Sequence, residues 1–201
     1  MRKHIWWMPG AFLAVVLLGQ LAAYRTIKPT VTLKAVWAYK PNSIKEAKDK
    51  GHTAVKGIVL TVANGPDLML AMPGEPGGKD KIPTQRITLR VDKPYKGMKK
   101  EGNLITVFRT GGEVRLPPGE PKGKENHRLE GVRVVVEDDP PYKVSEEYVM
   151  LMEDGPAGTM RPVSPEGRYR IEGGKVKAMV QNDVTSVVEG KGLAELEKHL
   201  E

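Results

Sequence analysis

There is no cysteine in the 201 residues of this chain. That one absence excludes disulfides, a lipid-carrying cysteine, thiolate metal sites and cysteine nucleophiles together. Aromatic residues make up only 5%. That is too few to build the stacking platforms that hold single-stranded nucleic acid, so nucleic acid is not an expected partner. Histidine is confined to His4, His52, His127 and His199. No two of them stand at i, i+4 ligand spacing, so each reads as a polar residue and not as a zinc ligand. Ser43, Ser145, Ser164 and Ser186 lie in no nucleophile-elbow pattern. The glycine-rich residues 73–78 lack the Lys-Ser/Thr ending of a phosphate loop. Glu146 and Glu147 are adjacent, so on a strand they point to opposite faces, which is poor geometry for shared acid–base work. Glu137, Asp138 and Asp139 cluster without the alternation of a calcium loop and read as a solvated turn. The chain is therefore expected to be a non-enzyme with no cofactor and no metal site.

What is present begins at the N-terminus. Residues 1–23 read MRKHIWWMPGAFLAVVLLGQLAA, a basic start followed by an apolar block and small residues, which is the layout of an export signal. Two readings stand. Cleavage before Tyr24 frees the rest of the chain outside the cytoplasm. Retention makes the same segment a membrane anchor, since its apolar stretch approaches the roughly 20 residues needed to span a bilayer. The expected location is therefore secreted or anchored on the outer face of a membrane, with residues 1–23, if retained, the only membrane contact. The remaining length fits one domain with a real core. The full chain carries net charge +7, and without Arg2 and Lys3 it keeps 30 basic against 25 acidic residues. This mild excess suits a solvated surface, and it leaves an anionic cell-envelope polymer as a possible partner class.

Residues 24–42 read as an extended arm. Val31, Leu33, Ala35, Trp37 and Tyr39 alternate and so share one strand face. The plain reading is that the arm packs on its own domain. The sharper one is that it adds to the sheet edge of a neighbour, with the protein itself or another surface protein as partner. Asn42 or Ser43 can cap a short helix through about Lys50, ended by Gly51, and Glu46 stands three residues after Ser43 at capping-box spacing.

From there the pattern is of strands and turns. Residues 53–63 are β-branched and apolar on both faces, as in a central strand. Residues 64–83 hold several glycines and prolines and predict a long loop with a hairpin near 68–72. Ile87, Leu89 and Val91 alternate with Thr88, Arg90 and Asp92. Strands are also predicted over 103–110, 131–137 and 146–153, with Tyr148, Met150 and Met152 on one side of the last. Gly173-Gly174 between two strand patterns predicts a hairpin. Leu193, Leu196 and Leu200 predict a short C-terminal helix. Lys93, Lys96, Lys99, Lys100 and Arg109 form a candidate basic corner, read first as a source of solubility and second as a ligand site. The expected fold is mainly β: a small antiparallel OB-like barrel or sandwich over residues 43–180, with a short helix before its first core strand and a short helix within the tail 181–201.

Four segments carry a resemblance. They are VKGIVLTV from Val55, ITLRVDKPYKG from Ile87, NLITVFRTGG from Asn103 and YKVSEEYVMLMED from Tyr142. In this order they resemble a group of secreted bacterial proteins with an OB-fold-like barrel, distantly similar to the netrin and metalloproteinase-inhibitor barrel. The resemblance implies a barrel over about residues 43–180 and leaves the ligand open. The metalloproteinase inhibitors act through an N-terminal cysteine, which this chain lacks, so inhibition by that route is not implied. The sequence thus points to a non-catalytic exported surface protein, structural or interacting, that self-assembles through its arm. A monomeric binding module for a polysaccharide or protein is the alternative.

Overall fold

The computed structural model describes residues 30–33, 39–71, 79–97, 99–113, 133–137 and 139–201. The export segment, Ala35 and Trp37 of the arm, His4, His127, Asp138 and the polar loop at 117–126 lie outside the described residues. In chain order the elements are β1 (Thr30–Leu33), α1 (Ile44–Lys50), β2 (Thr53–Asn64), β3 (Leu68–Ala71), β4 (Lys79–Ile82), β5 (Thr84–Lys96), β6 (Leu104–Thr110), β7 (Gly112–Glu113), β8 (Arg133–Val136), β9 (Glu147–Asp154), β10 (Met160–Pro162), β11 (Arg168–Glu172), β12 (Lys175–Ala178), α2 (Asp183–Ser186) and α3 (Leu193–Glu197).

Five strands close into a barrel in the ring order β2, β5, β6, β10, β9. The expected small β-barrel is therefore present, and closure decides against the sandwich. The strand that closes it is β10, which has no counterpart among the expected elements. It lies antiparallel to β9 through Met160, Arg161 and Pro162, and parallel to β6 through Met160 opposite Val107. The ring is antiparallel except at that one junction. Its interior is filled by the alternating residues of each strand, among them Val55, Val59, Ile87, Leu89, Ile105 and Val107. Tyr148, Met150 and Met152 of β9 point into this core as expected, while Val149 and Leu151 point outward into a second core. A strand buried on both faces reads as a continuous apolar run, as β9 does.

The second core lies between the sheet and the helices. Ile44 and Ala47 of α1 and Leu196 of α3, with Leu200 beyond its end, meet Val149, Leu151 and Tyr169 there. Residues 181–201 thus pack into the domain. Ser43 caps α1 by accepting from the Glu46 N–H at 3.1 Å. The Glu46 carboxylate does not close the box on Ser43. It accepts from the backbone N–H of Asn42 at 2.9 Å and from its side chain at 3.0 Å. Gly51 ends the helix in extended backbone, φ −71°. It is glycine for want of room: a Cβ there would stand 3.0 Å from the carbonyl oxygen of Met152.

Gly173 and Gly174 turn the β11–β12 hairpin at φ 57° and 77°, the left-handed pair that a two-residue turn requires. The outer edge of β12 is covered by the chain that follows. Val176 donates to Lys191 O at 2.7 Å and accepts from Gly190 N at 2.8 Å, which protects that edge from stray pairing.

A smaller three-stranded sheet, in the order β1, β8, β7, stands apart from the ring. β1 runs parallel to β8, with Thr30, Val31, Thr32 and Leu33 opposite Arg133, Val134, Val135 and Val136. Among the described residues of the arm, strand covers Thr30–Leu33. Tyr39, which continues its alternation in sequence, lies in irregular backbone, and its hydroxyl donates to Glu46 Oε1 at 3.1 Å.

Candidate functional site

The most concentrated polar arrangement joins β6, β11 and the connection between β8 and β9. Arg109 occupies an inward position of β6, in line with Ile105 and Val107, and is 4% exposed. Arg168 opens β11 and is 2% exposed. Asp139 lies between them, with Oδ2 at 3.1 Å from Arg109 Nε and Oδ1 at 2.8 Å from Arg168 Nη1. Both nitrogens face the carboxylate off the line of a hydrogen bond, so the attraction is that of an ion pair. The remaining donors find other acceptors. Arg109 Nη1 donates to Gln85 Oε1 at 2.9 Å, and Nη2 donates to the Asp139 carbonyl. Arg168 Nη2 donates to Pro140 O at 2.5 Å.

Arg168 also lies over the ring of buried Tyr142, 4.4 Å from its centroid, a cation–π contact with the ring face. Tyr142 meets Tyr148 edge to face at 5.2 Å and donates to Met150 Sδ at 3.5 Å. Tyr148 donates to Glu146 Oε2 at 2.5 Å, and Glu146 Oε1 accepts from Arg170 at 2.9 Å. One path of charges and rings therefore runs from β6 to the outer side of β11.

Burial pushes the Arg109 guanidinium below its usual range, with Asp139 opposing and neighbouring Arg168 adding to the fall. Burial also works against charged Arg168, but Tyr142 and Asp139 outweigh it and hold the pKa up. Two guanidiniums against one carboxylate leave an excess positive charge indoors. Such a group is tolerated only when it is paired; here Arg109 Nε and Arg168 Nη1 face the Asp139 carboxylate, while Arg109 Nη1 and Nη2 and Arg168 Nη2 reach Gln85 and backbone carbonyls. The arrangement acts as a clamp that fixes the β8–β9 connection to the barrel. The acidic turn expected to be solvated is thus divided: Glu137 is exposed, whereas Asp139 is drawn between the two arginines.

The structure disperses the basic corner. Lys96 Nζ donates to the carbonyls of Lys48, Asp49 and Gly51 at 2.8, 3.0 and 2.7 Å and so closes the C-terminal end of α1. Lys93 pairs with Glu197 at 2.7 Å. Lys99 and Lys100 stand near the β5–β6 turn, where Lys100 N donates to Asn103 Oδ1. Arg109 does not join them. It lies opposite Gln85, at the other end of the β5–β6 hairpin.

Of the arm residues, Val31 and Leu33 fall in β1 beside β8, Tyr39 sits on α1, and Ala35 and Trp37 are outside the described residues. His52 is exposed and pairs with exposed Asp154 at 3.1 Å. Glu147 turns away from Glu146 to pair with Lys56 at 2.8 Å. Among the described residues no group of three metal-ligating side chains converges, and no helix is long and apolar enough to cross a membrane.

Sequence reasoning missed Asp139, Tyr142 and Arg168 as a unit. The one available signal was Arg109, a charge at the inward position of an otherwise apolar alternation. Fold and clamp together define a small closed β-barrel with a side sheet pinned to it by buried charge. No protein-family model matches the chain, and no curated protein matches it.

Proposed function

We propose that this chain is a non-catalytic, exported protein of the cell surface that assembles through its N-terminal arm. The observation that carries the reading is the position of β1. It forms the outer edge of the side sheet, and the barrel closes without it. Its residues, Thr-Val-Thr-Leu, are uncharged and β-branched at three positions. Val31 is 45% exposed. Natural proteins usually blunt such an edge with charge or cover it, as the segment after β12 covers that strand. Among the described residues no strand pairs with the outer edge of β1, and an uncharged edge of this kind fits strand addition. Export rests on the layout of residues 1–23, and the clamp around Asp139 supports a structural part for the buried charges.

The test is particle size. The full chain should give particles larger than a monomer in light scattering. Deletion of Thr30–Leu33 should leave a folded monomer, and an unchanged size would sink the reading. Mass and N-terminal sequence of the native protein decide between cleavage and anchoring.

A second reading is a monomeric binding module for an anionic polysaccharide or a protein, and one feature favours it. On the outer side of β2, β5 and β6, Ile58, Arg90 and Leu104 fall in one cross-strand row, and Leu104 is 63% exposed. Retention of a monomer on an anionic-glycan matrix, lost in Arg90→Ala with Leu104→Ala, would select it.

A further inference from the structure

We infer that β1 is an exchangeable strand: in the assembly it leaves β8 of its own chain and takes the same parallel register on β8 of a second copy. The inference rests on the arm-mediated assembly proposed above and names its acceptor. Acceptor and donor are held very differently. β8 is anchored on both sides. Its inner neighbour is β7, which follows β6 after Gly111 alone and pairs through Gly112 opposite Val134 and Glu113 opposite Arg133. Three residues beyond its end comes Asp139, fixed by Arg109 and Arg168 from two strands of the main sheet. The edge that β8 offers to β1 is therefore presented by the rigid body of the barrel.

β1 has β8 as its one strand partner among the described residues, over four register positions. Thr30, Val31 and Thr32 are exposed, so these three residues are held mainly by their ladder. The ladder bonds of four residues and the entropy lost in ordering them are of similar size, so release is inexpensive. The barrel keeps its closure when β1 leaves, because β10 and not β1 completes the ring.

The occupant of the vacated edge follows from what already sits there. A second copy brings an identical Thr-Val-Thr-Leu strand, and every register contact can form again between chains. This is the economy of domain swapping, in which the exchanged element makes the same contacts in a new partner. Donor and acceptor are different surfaces, so exchange either closes reciprocally between two copies or runs on head-to-tail through more. Parallel pairing is preserved, which distinguishes exchange from two β1 edges meeting across a twofold axis.

The absence of native cysteine makes the test direct. Val31 and Val134 are register partners, and neighbouring strands hold such positions within disulfide range. Full-length chains carrying Val31→Cys alone and Val134→Cys alone are mixed, left to assemble and oxidised. Exchange gives a disulfide-linked heterodimer in the mixture that neither chain forms by itself. Particles that grow while the mixture yields no heterodimer, and while the double variant Val31→Cys/Val134→Cys yields only an intrachain disulfide, overturn exchange and leave assembly standing. Absence of growth in the unsubstituted protein overturns both. If either variant loses its circular-dichroism signature, Thr32→Cys with Val135→Cys repeats the measurement one register step along the same ladder.

Discussion

The Asp139 carboxylate stands 2.8 Å from Arg168 and 3.1 Å from Arg109, so one acidic side chain joins β6 and β11 to the connection that leads from β8 into β9. The two arginine side chains are 2% and 3% exposed and the aspartate 14%, so water screens these charges little. Each partner is needed mainly because the others are already indoors.

Removing that carboxylate charge should therefore be costly. Asp139→Asn keeps the shape but leaves two buried guanidiniums facing each other, and breaking a buried pair in this way costs about 3–5 kcal/mol. Urea denaturation of the purified chain should show a loss of that order. A loss below about 1 kcal/mol, the scale of an exposed pair, would mean that the clamp does not hold the connection.

Lys96 tests the other reading of a charge. Its ammonium closes the last carbonyls of α1, where a cation also meets the negative end of the helix dipole. Lys96→Met should cost about 1–2 kcal/mol, the combined scale of these effects at a partly exposed site. Exposed Lys100 should be replaceable by alanine within about 0.5 kcal/mol. Equal effects of the two substitutions in thermal melts would return Lys96 to the basic corner.

These two charges also mark where the sequence was readable. Local signals stood on their own: the alternation of Ile87, Leu89 and Val91, the Ser43 cap, the Gly173-Gly174 turn and the leucine face of the last helix each follow from a few neighbouring residues. The failures are long-range. Asp139 finds Arg109 thirty positions away and Arg168 on a later strand, and neither partner is written in the turn itself. β10 is three residues ending in proline, too short for any period to register, yet it closes the barrel. In the arm the alternation runs on to Tyr39, but the Glu46 carboxylate captures that hydroxyl and the tyrosine leaves the strand pattern.

Gly57 gives a prediction about close approach. It lies on β2 where the register with β5 shifts, and a Cβ there would run into the Arg90 carbonyl oxygen and meet Leu89 Cγ at 3.0 Å. Neither contact can swing aside, because one is backbone and the other a buried leucine. Gly57→Ala should destabilise by about 1–3 kcal/mol through overpacking, read as a lowered melting temperature. A melt at or above that of the parent chain would show that β2 and β5 separate freely at this point.

Tyrosine ionisation sets the alkaline limit of the fold. Tyr142, Tyr148 and Tyr169 are 4%, 1% and 0% exposed, and burial pushes all three phenols upward, with Glu146 adding to the rise at Tyr148 and Glu166 at Tyr169. In the unfolded chain a tyrosine ionises near pH 10. A pKa raised by folding gives stability that is complete below the unfolded value and is lost as pH climbs toward the folded one. Above about pH 10 each phenol that stays neutral in the fold but ionises in the unfolded chain removes about 1.4 kcal/mol per pH unit, so the three together remove about 4. Stability from urea curves should hold level through neutral pH and then fall steeply, and the phenolate absorbance of these tyrosines should rise together with loss of circular dichroism. Smooth titration of every tyrosine near pH 10 in a chain that keeps its β signature would place these rings in water and contradict the packing of Tyr142 against Arg168 and Tyr148.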